Sequence, residues 1–423
     1  MIAATNRRRA LRVGLLCGNL EPALDGVADY ARLLALHLRR IGLEPLLLTT
    51  YRLAGDEPNG SIGVTNGWSI GGVHRAARAI AELGLDVVHV QFAPSVFDFS
   101  RTVGLLPGLL RRGPPMVITL HEYGIWSAKS PLGRISGALW AAAERCGFMD
   151  REVLLFTPQR VQVVVTNSNH AGIVAARFPT AASGLVEIPI GPNIGLVTRD
   201  RAHARRSLRQ RLGMRPEAPL VVFFGFLHPV KDLDRLIRAV GLLEVAHPDL
   251  RLVLMGGVES HSMPPRLAGQ LRRALEGVAR RHGVDDKVVF TDYIPASRVS
   301  ETLLAADVAA FPFKNGVTMK SGSLLAALSH GVPVIATSRD GAASEDEGVL
   351  WIAPEDTAAL ASGIDRLLVD PAVGSRLRRA GAALIECYRW PSIAAAHARV
   401  YVDVMARSYD RDRMHGGVGD VDA

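Results

Sequence analysis

Lys320, Gly322 and Ser323 stand in a loop between an apolar run, Val308 to Phe313, and a short helical run, Leu324 to Ser329. Serine or glycine at a helix start leaves backbone N–H groups pointing outward. Those groups, the positive end of the helix dipole and one lysine make an anion site, most often a phosphate site. Thr318 and Ser321 belong to the same loop and complete its candidate phosphate-binding set. The plainer alternative is an ordinary strand-helix-strand crossover, polar because loops are. Lys231 lies between the run Leu220 to Phe224 and a helix from about Asp232, where a surface lysine is the competing account. Asp25-Gly26 follows the first strand, and glycine lets backbone approach a phosphate or an acceptor closely, unless it only makes a tight turn. His121-Glu122 ends another strand, where a histidine can bond a sugar hydroxyl or serve structure alone.

These loops need strands to carry them. Gly331 stops the short helix, Pro333 bars its continuation, and runs as apolar as these suit parallel strands covered on both faces. In the first half, strands are expected at Arg12 to Gly18, Glu44 to Thr50, Val87 to Gln91, Met116 to His121, Val161 to Thr166 and Leu185 to Ile190. His89, inside one of these runs, reads as core. Ala128 to Met149 is largely helical, with Leu132, Ile135, Leu139, Trp140 and Ala143 as a stripe expected to face the core. The second half repeats the scheme at Leu220 to Phe224, Arg251 to Met255, Lys287 to Phe290, Asp307 to Phe313, Pro333 to Ala336 and Val349 to Ile352. The fold class is therefore α/β, with two Rossmann-like doubly wound domains, residues 1–193 and 194–389, facing a cleft lined by strand ends. A last helix occupies 390–407, and 408–423 is expected to be a disordered tail.

The chain has 423 residues, 48% hydrophobic and 21% charged, the balance of a globular protein with more than one core. No apolar run is long enough to span a bilayer and none follows the basic N-terminus as a leader would, so a cytoplasmic location is expected. Three widely spaced cysteines give neither a disulfide framework nor a zinc pattern and are expected to be buried thiols. A net charge of +8 suits an anionic partner. The arginines are scattered without interleaved aromatics, which argues against nucleic acid as that partner. Peripheral contact with acidic lipid stays open. Asp-x-Asp pairs occur only at Asp232/Asp234 and in the tail, so no metal site is expected.

Taken in order, DGVADY (Asp25 to Tyr30), DVVHVQ (Asp86 to Gln91), ITLHEYG (Ile118 to Gly124), VVVTNSNH (Val163 to His170), IPIGPNI (Ile188 to Ile194), VVFFGFLHPVKDLDRLIRAV (Val221 to Val240), LVLMGG (Leu252 to Gly257) and GSLLAALSHGVPVIAT (Gly322 to Thr337) resemble the GT-B glycosyltransferases of family 4. Tyr388-Arg-Trp-Pro and its helix look like the family's last helix, which crosses back onto the first domain. Two departures stand out. The family's usual pair of glutamates is replaced by Thr318 and Ala326, and its usual arginine after the first strand of the second half by Phe226.

The resemblance implies a retaining, metal-independent transfer of sugar from a nucleotide-diphosphate donor to an acceptor hydroxyl. No cofactor is implied beyond that donor, which is a substrate. The first domain would bind the acceptor, still to be identified among glycans, lipids and small molecules, and the second the nucleotide sugar. It further implies that His121 meets the transferred sugar, that Lys231 and Lys320 meet the diphosphate, and that Tyr293-Ile294 cradles the base. Asp25 and Gly26 would lie near donor phosphate or acceptor. The rivals are a non-catalytic nucleotide-sugar-binding partner subunit and a GT-B sugar-nucleotide epimerase.

Overall fold

The structure is a computed structural model and describes residues 9–20, 26–55, 60–124, 133–197, 200–257, 265–341, 343–345 and 348–416. Asp25 and the last seven residues of the tail lie outside the described residues. The chain divides into two compact units, one formed by Met1–Ile190 with Trp390–Ala423 and the other by Gly191–Arg389.

In the first unit the order is β1 (Arg12–Leu16), α1 (Gly26–Arg40), β2 (Glu44–Thr50), β3 (Ser61–Thr65), α2 (Ile70–Glu82), β4 (Val87–Phe92), α3 (Leu106–Leu109), β5 (Met116–Leu120), α4 (Gly133–Arg145), β6 (Gln162–Val165), α5 (Ser168–Arg177) and β7 (Val186–Glu187). The strands form one parallel sheet ordered β3-β2-β1-β4-β5-β6-β7. Central strands are buried on both faces, and all six residues of β4 are inaccessible. Burial of that kind favours the predominantly apolar runs that mark these strands in the sequence, interrupted in β4 by His89 and Gln91. α1 covers the sheet with Tyr30, Ala31, Leu34 and Leu38, spaced for one helical face.

The second unit runs α6 (Arg201–Arg211), β8 (Leu220–Phe224), α7 (Leu233–Leu242), β9 (Arg251–Met255), α8 (Pro265–Arg281), β10 (Val288–Phe290), α9 (Ala296–Ala305), β11 (Val308–Phe311), α10 (Gly322–Ser329), β12 (Val334–Thr337), β13 (Val349–Ile352), α11 (Thr357–Val369) and α12 (Pro371–Ile385). Its parallel sheet is ordered β10-β9-β8-β11-β12-β13. In both sheets the chain first winds outward one way, then returns past its first strand and winds the other way. The crevice that receives a ligand in such sheets opens at that reversal, outside the carboxyl ends of the strands. Here the reversals fall between β1 and β4 and between β8 and β11. α13 (Trp390–Gly416) then packs on α1 of the first unit.

Four expectations need correction. Order does not stop at residue 407: α13 continues to Gly416, because no glycine or proline interrupts Ser408 to His415. Only Cys17 is a buried thiol, for Cys146 and Cys387 lie at helix ends and are exposed. None of the described members of the α4 stripe is buried: Leu139 is 68% exposed and Trp140 and Ala143 are intermediate, while Leu132 and the Ile135 side chain lie outside the described residues; Glu144 alone among the described α4 side chains is buried. Strand β3 had no apolar signature, since Ser61, Gly63 and Thr65 make up more than half of it. No helix among the described residues is long and apolar enough to cross a membrane.

Candidate active site

Lys231 and the loop 312–321 leave the carboxyl ends of neighbouring strands β8 and β11. The Lys231 Nζ stands 3.6 Å above the centroid of the Phe313 ring, so an ammonium from one loop rests on an aromatic face of the other. Burial pulls its pKa down to about 8. The lysine therefore stays mainly charged at pH 7, although with much of its hydration removed. His228 sits at the same turn, its pKa lowered by burial and by the Lys231 charge, and its Nδ1 accepts from Val230 N at 3.3 Å.

The start of α10 follows the loop that leaves β11. Ser321 is the N-cap, with its hydroxyl accepting from Leu324 N at 3.3 Å. Thr318 shapes the approach: its carbonyl accepts from Ser321 N at 2.9 Å and its hydroxyl from Lys320 N at 3.4 Å. The N–H groups of Gly322 and Ser323 are left without an acceptor among the described residues. Two glycines bring backbone up to this helix end. Gly225, at φ 141°, has no room for a larger residue beside Ser323, whose Oγ would lie 3.0 Å from an added Cβ. Gly256, at φ 134°, would put a Cβ 2.1 Å from the Gly225 carbonyl oxygen. Both φ values are open to glycine and costly for other residues. A helix N-terminus with unpaired N–H groups and a largely desolvated lysine thus lie beyond the carboxyl ends of two adjacent strands, groups of a kind suited to an oxyanion.

Sequence reasoning did not single out Asn193, which entered only as part of the stretch IPIGPNI. A Cβ on Gly322 would stand 3.2 Å from the Asn193 Cγ, and the Asn193 Oδ1 is buried without a hydrogen-bond partner. A buried amide atom left unpaired costs free energy that a ligand can recover. Nothing in Gly191-Pro-Asn announces this, because the approach depends on the fold of the unit.

Tyr293 and Ile294 follow β10, the edge strand, one strand beyond β9. Tyr293 is 61% exposed, and the Gly256 N donates to the Asp292 carbonyl at 3.3 Å, which ties this loop to the glycine cradle. Phe226 occupies the loop after β8, and Ala326 is wholly buried within α10. Neither offers a charge to a ligand.

His121 belongs to the first unit. Its N–H donates to the Phe92 carbonyl at 2.8 Å, which extends the β4–β5 pairing by one residue. Its Nε2 lies 2.9 Å from Gln91 Oε1, and the Tyr30 ring meets it edge-on at 4.7 Å. Beneath it runs a buried polar chain. Tyr30 Oη bonds His397 Nε2 at 2.9 Å, and His89 bridges Tyr401 and Thr119, both at 2.7 Å. Burial drives the His397 pKa down to about 3 and also lowers that of His89, where the His397 and His121 charges add to the effect. Both imidazoles are thus neutral, and α13 contributes two members of the chain.

The loop after His121 is pinned by a second cluster that no sequence pattern marked. Glu152 accepts the Gly124 N–H at 2.8 Å, and Arg177 bonds Asp150 at 3.0 Å and Glu152 at 2.6 Å with both acids fully buried. Gly26 opens α1 with nothing within 4 Å of the place a Cβ would take.

Residues 218–370 match the family described as group 1 glycosyl transferases. That stretch lies within the second unit and includes Lys231, the glycine cradle and α10. The chain is 30% identical over 259 residues to the D-inositol 3-phosphate glycosyltransferase of Streptomyces avermitilis, covering 60% of this chain and 54% of the relative. With the protein of the same name from Acidothermus cellulolyticus it shares 32% identity over 232 residues, 52% of this chain and 48% of that one. The chain spans about half the length of the curated relatives it matches.

Solved structures match nearly all of it. Sucrose-phosphate synthase from Thermosynechococcus elongatus superposes with a TM-score of 0.66 at 20% identity, over 94% of this chain and 100% of that one. Anabaena HepE in complex with UDP-glucose gives 0.66 at 15% identity, over 93% and 100%. At such identities the likeness is one of fold, and it is the GT-B fold of two Rossmann-like α/β units.

Proposed function

We propose that this chain is a glycosyltransferase that moves a sugar from a nucleotide-diphosphate donor to an acceptor hydroxyl, with retention at the anomeric carbon and without a metal. The observation that carries this reading is that Lys231 and the α10 N-terminus both lie beyond the carboxyl ends of the adjacent strands β8 and β11, with the Gly225 backbone close to Ser323. Solved neighbours of the same fold hold UDP-glucose, and UDP with glucose. In transfer, the bond from the anomeric carbon to the donor phosphate oxygen breaks while the acceptor oxygen bonds to that carbon. The acceptor's proton passes to the departing phosphate. The charge that grows on the diphosphate is what N–H groups and ammonium groups at this place stabilise. Lys320 adds a second cation from the α10 loop, and Tyr293-Ile294 offers a flank for the base. His121 and Gly26 serve the sugar and acceptor side.

A thermal-shift panel of nucleotide sugars, followed by turnover of whichever one raises the melting temperature, tests the reading. A donor that binds and is turned over supports it. The rival, a nucleotide-sugar-binding subunit without activity, rests on Thr318 and Ala326 standing where carboxylates are usual; binding without any transfer or donor hydrolysis would favour it. We also assign the α4 end to peripheral lipid contact, because Leu139 and Phe148 are 68% and 56% exposed there. Co-sedimentation with anionic vesicles that is unchanged by Leu139→Asp would reject this.

A further inference from the structure

At the amino ends of β8, β11 and β12, on the edge of the sheet opposite Lys231, lies a cavity of about 590 Å³. Arg201, Arg205 and Arg378 line it together with Asp307, Glu217 and His247. The charges there do not balance. Arg205 and Arg209 share Asp307, the latter at 2.7 Å. His247 is taken up by Asp365 at 2.7 Å. Arg201 bonds only carbonyls, at Ala306, His330 and Gly331, with distances of 3.3, 2.8 and 2.7 Å. Arg378 has a hydroxyl, Ser375 Oγ at 2.9 Å. Three guanidiniums thus line the cavity with two carboxylates, an excess of one positive charge, and one of those carboxylates, Asp307, is shared with Arg209 outside the lining. Burial, then repulsion from Arg378 and Arg205, lowers the Arg201 pKa, which places the like charges within reach of one another.

Like charges held together in a cavity and only partly countered are a standing cost that an anion reduces. We propose that this cavity binds a phosphate-bearing small molecule, held as a dianion between Arg201, Arg205 and Arg378. Planar guanidiniums match phosphate oxygens two at a time, and the volume leaves room for a ligand larger than phosphate itself. Arg201 also connects this site to the rest of the unit. The carbonyls it holds at His330 and Gly331 end α10, the helix whose other end is capped by Ser321 in the candidate phosphate loop.

The test is isothermal titration of the full chain with inorganic pyrophosphate, compared across three proteins. They are the unaltered chain, Arg378→Gln, and the double variant Lys231→Ala/Lys320→Ala, which disables the other candidate phosphate site. Arg378 is the choice because a single hydroxyl bond ties it to the fold. Binding should persist in the double lysine variant and weaken about tenfold or more in Arg378→Gln. Arg378→Lys should recover part of it. Pyrophosphate binding that is indifferent to Arg378→Gln, or that vanishes with the two lysines, would overturn the assignment, as would no binding to any of the three.

Discussion

Replacing Lys231 by methionine should weaken the donor site and strengthen the fold. The pKa falls from an ordinary 10.5 to about 8 on burial. Between those values the unfolded chain keeps a proton that the folded chain releases, so the charged lysine costs stability at pH 7 and the cost fades as pH rises through 10.5. At about 1.4 kcal/mol per pH unit the penalty at pH 7 is about 3 kcal/mol, and partial solvent access and the Phe313 ring reduce it to about 2. Methionine keeps the length and the contact with Phe313 while removing the charge. For a unit of this size, a gain of about 2 kcal/mol raises Tm by roughly 4–8 °C. Scanning calorimetry of both proteins at pH 7 and pH 10 reads this directly, and the difference should shrink at pH 10. Donor affinity should fall about tenfold or more at pH 7. In the unaltered chain it should decline as pH passes 8 and the ammonium is lost. A variant that is less stable at pH 7, or stabilised equally at both pH values, would refute the argument that desolvation governs this lysine.

Other substitutions separate binding from structure. Gly26→Val should leave Tm nearly unchanged, because a side chain there meets open space, yet abolish transfer; full activity would remove this loop from the site. His121→Ala should lower turnover far more than nucleotide affinity, and a matching loss of Tm and activity would make the histidine structural. Arg177→Met should cost about 3–5 kcal/mol in chemical denaturation by stranding Asp150 and Glu152 in the interior, and a change under about 1 kcal/mol would show that the pair is solvated or protonated.

The α/β architecture was legible because doubly covered parallel strands are predominantly apolar, as Val308 to Phe311 is throughout and Val87 to Phe92 is apart from His89 and Gln91, with polar loops between them. Edge strands carry less of that signal, which is why β3 escaped notice. The α4 stripe misled for a related reason: helical spacing shows that one face is apolar but not what covers it. At the candidate site, Lys231, Lys320 and Ser323 could be found because strand-end loops and helix starts are local patterns. The approach of Gly225 to Ser323, of Gly256 to Gly225 and of Asn193 to Gly322 arises from strand order and has no local mark. The same holds for Arg177 with Asp150 and Glu152, brought together across 27 and 25 residues of chain. Likewise, Arg201 and Arg378 line one cavity only once α12 has packed against α10.

The most direct test of the central claim is calorimetric titration of UDP and UMP into the unaltered chain and into Lys231→Ala/Lys320→Ala at pH 7. If the β8/β11 loops hold a diphosphate, UDP binds the unaltered chain more tightly than UMP. The double variant then loses about a hundredfold or more for UDP and less for UMP, each lysine contributing about 1.5–3 kcal/mol to the diphosphate. UDP bound normally by the double variant would contradict the account and leave the loop before α10 a plain crossover.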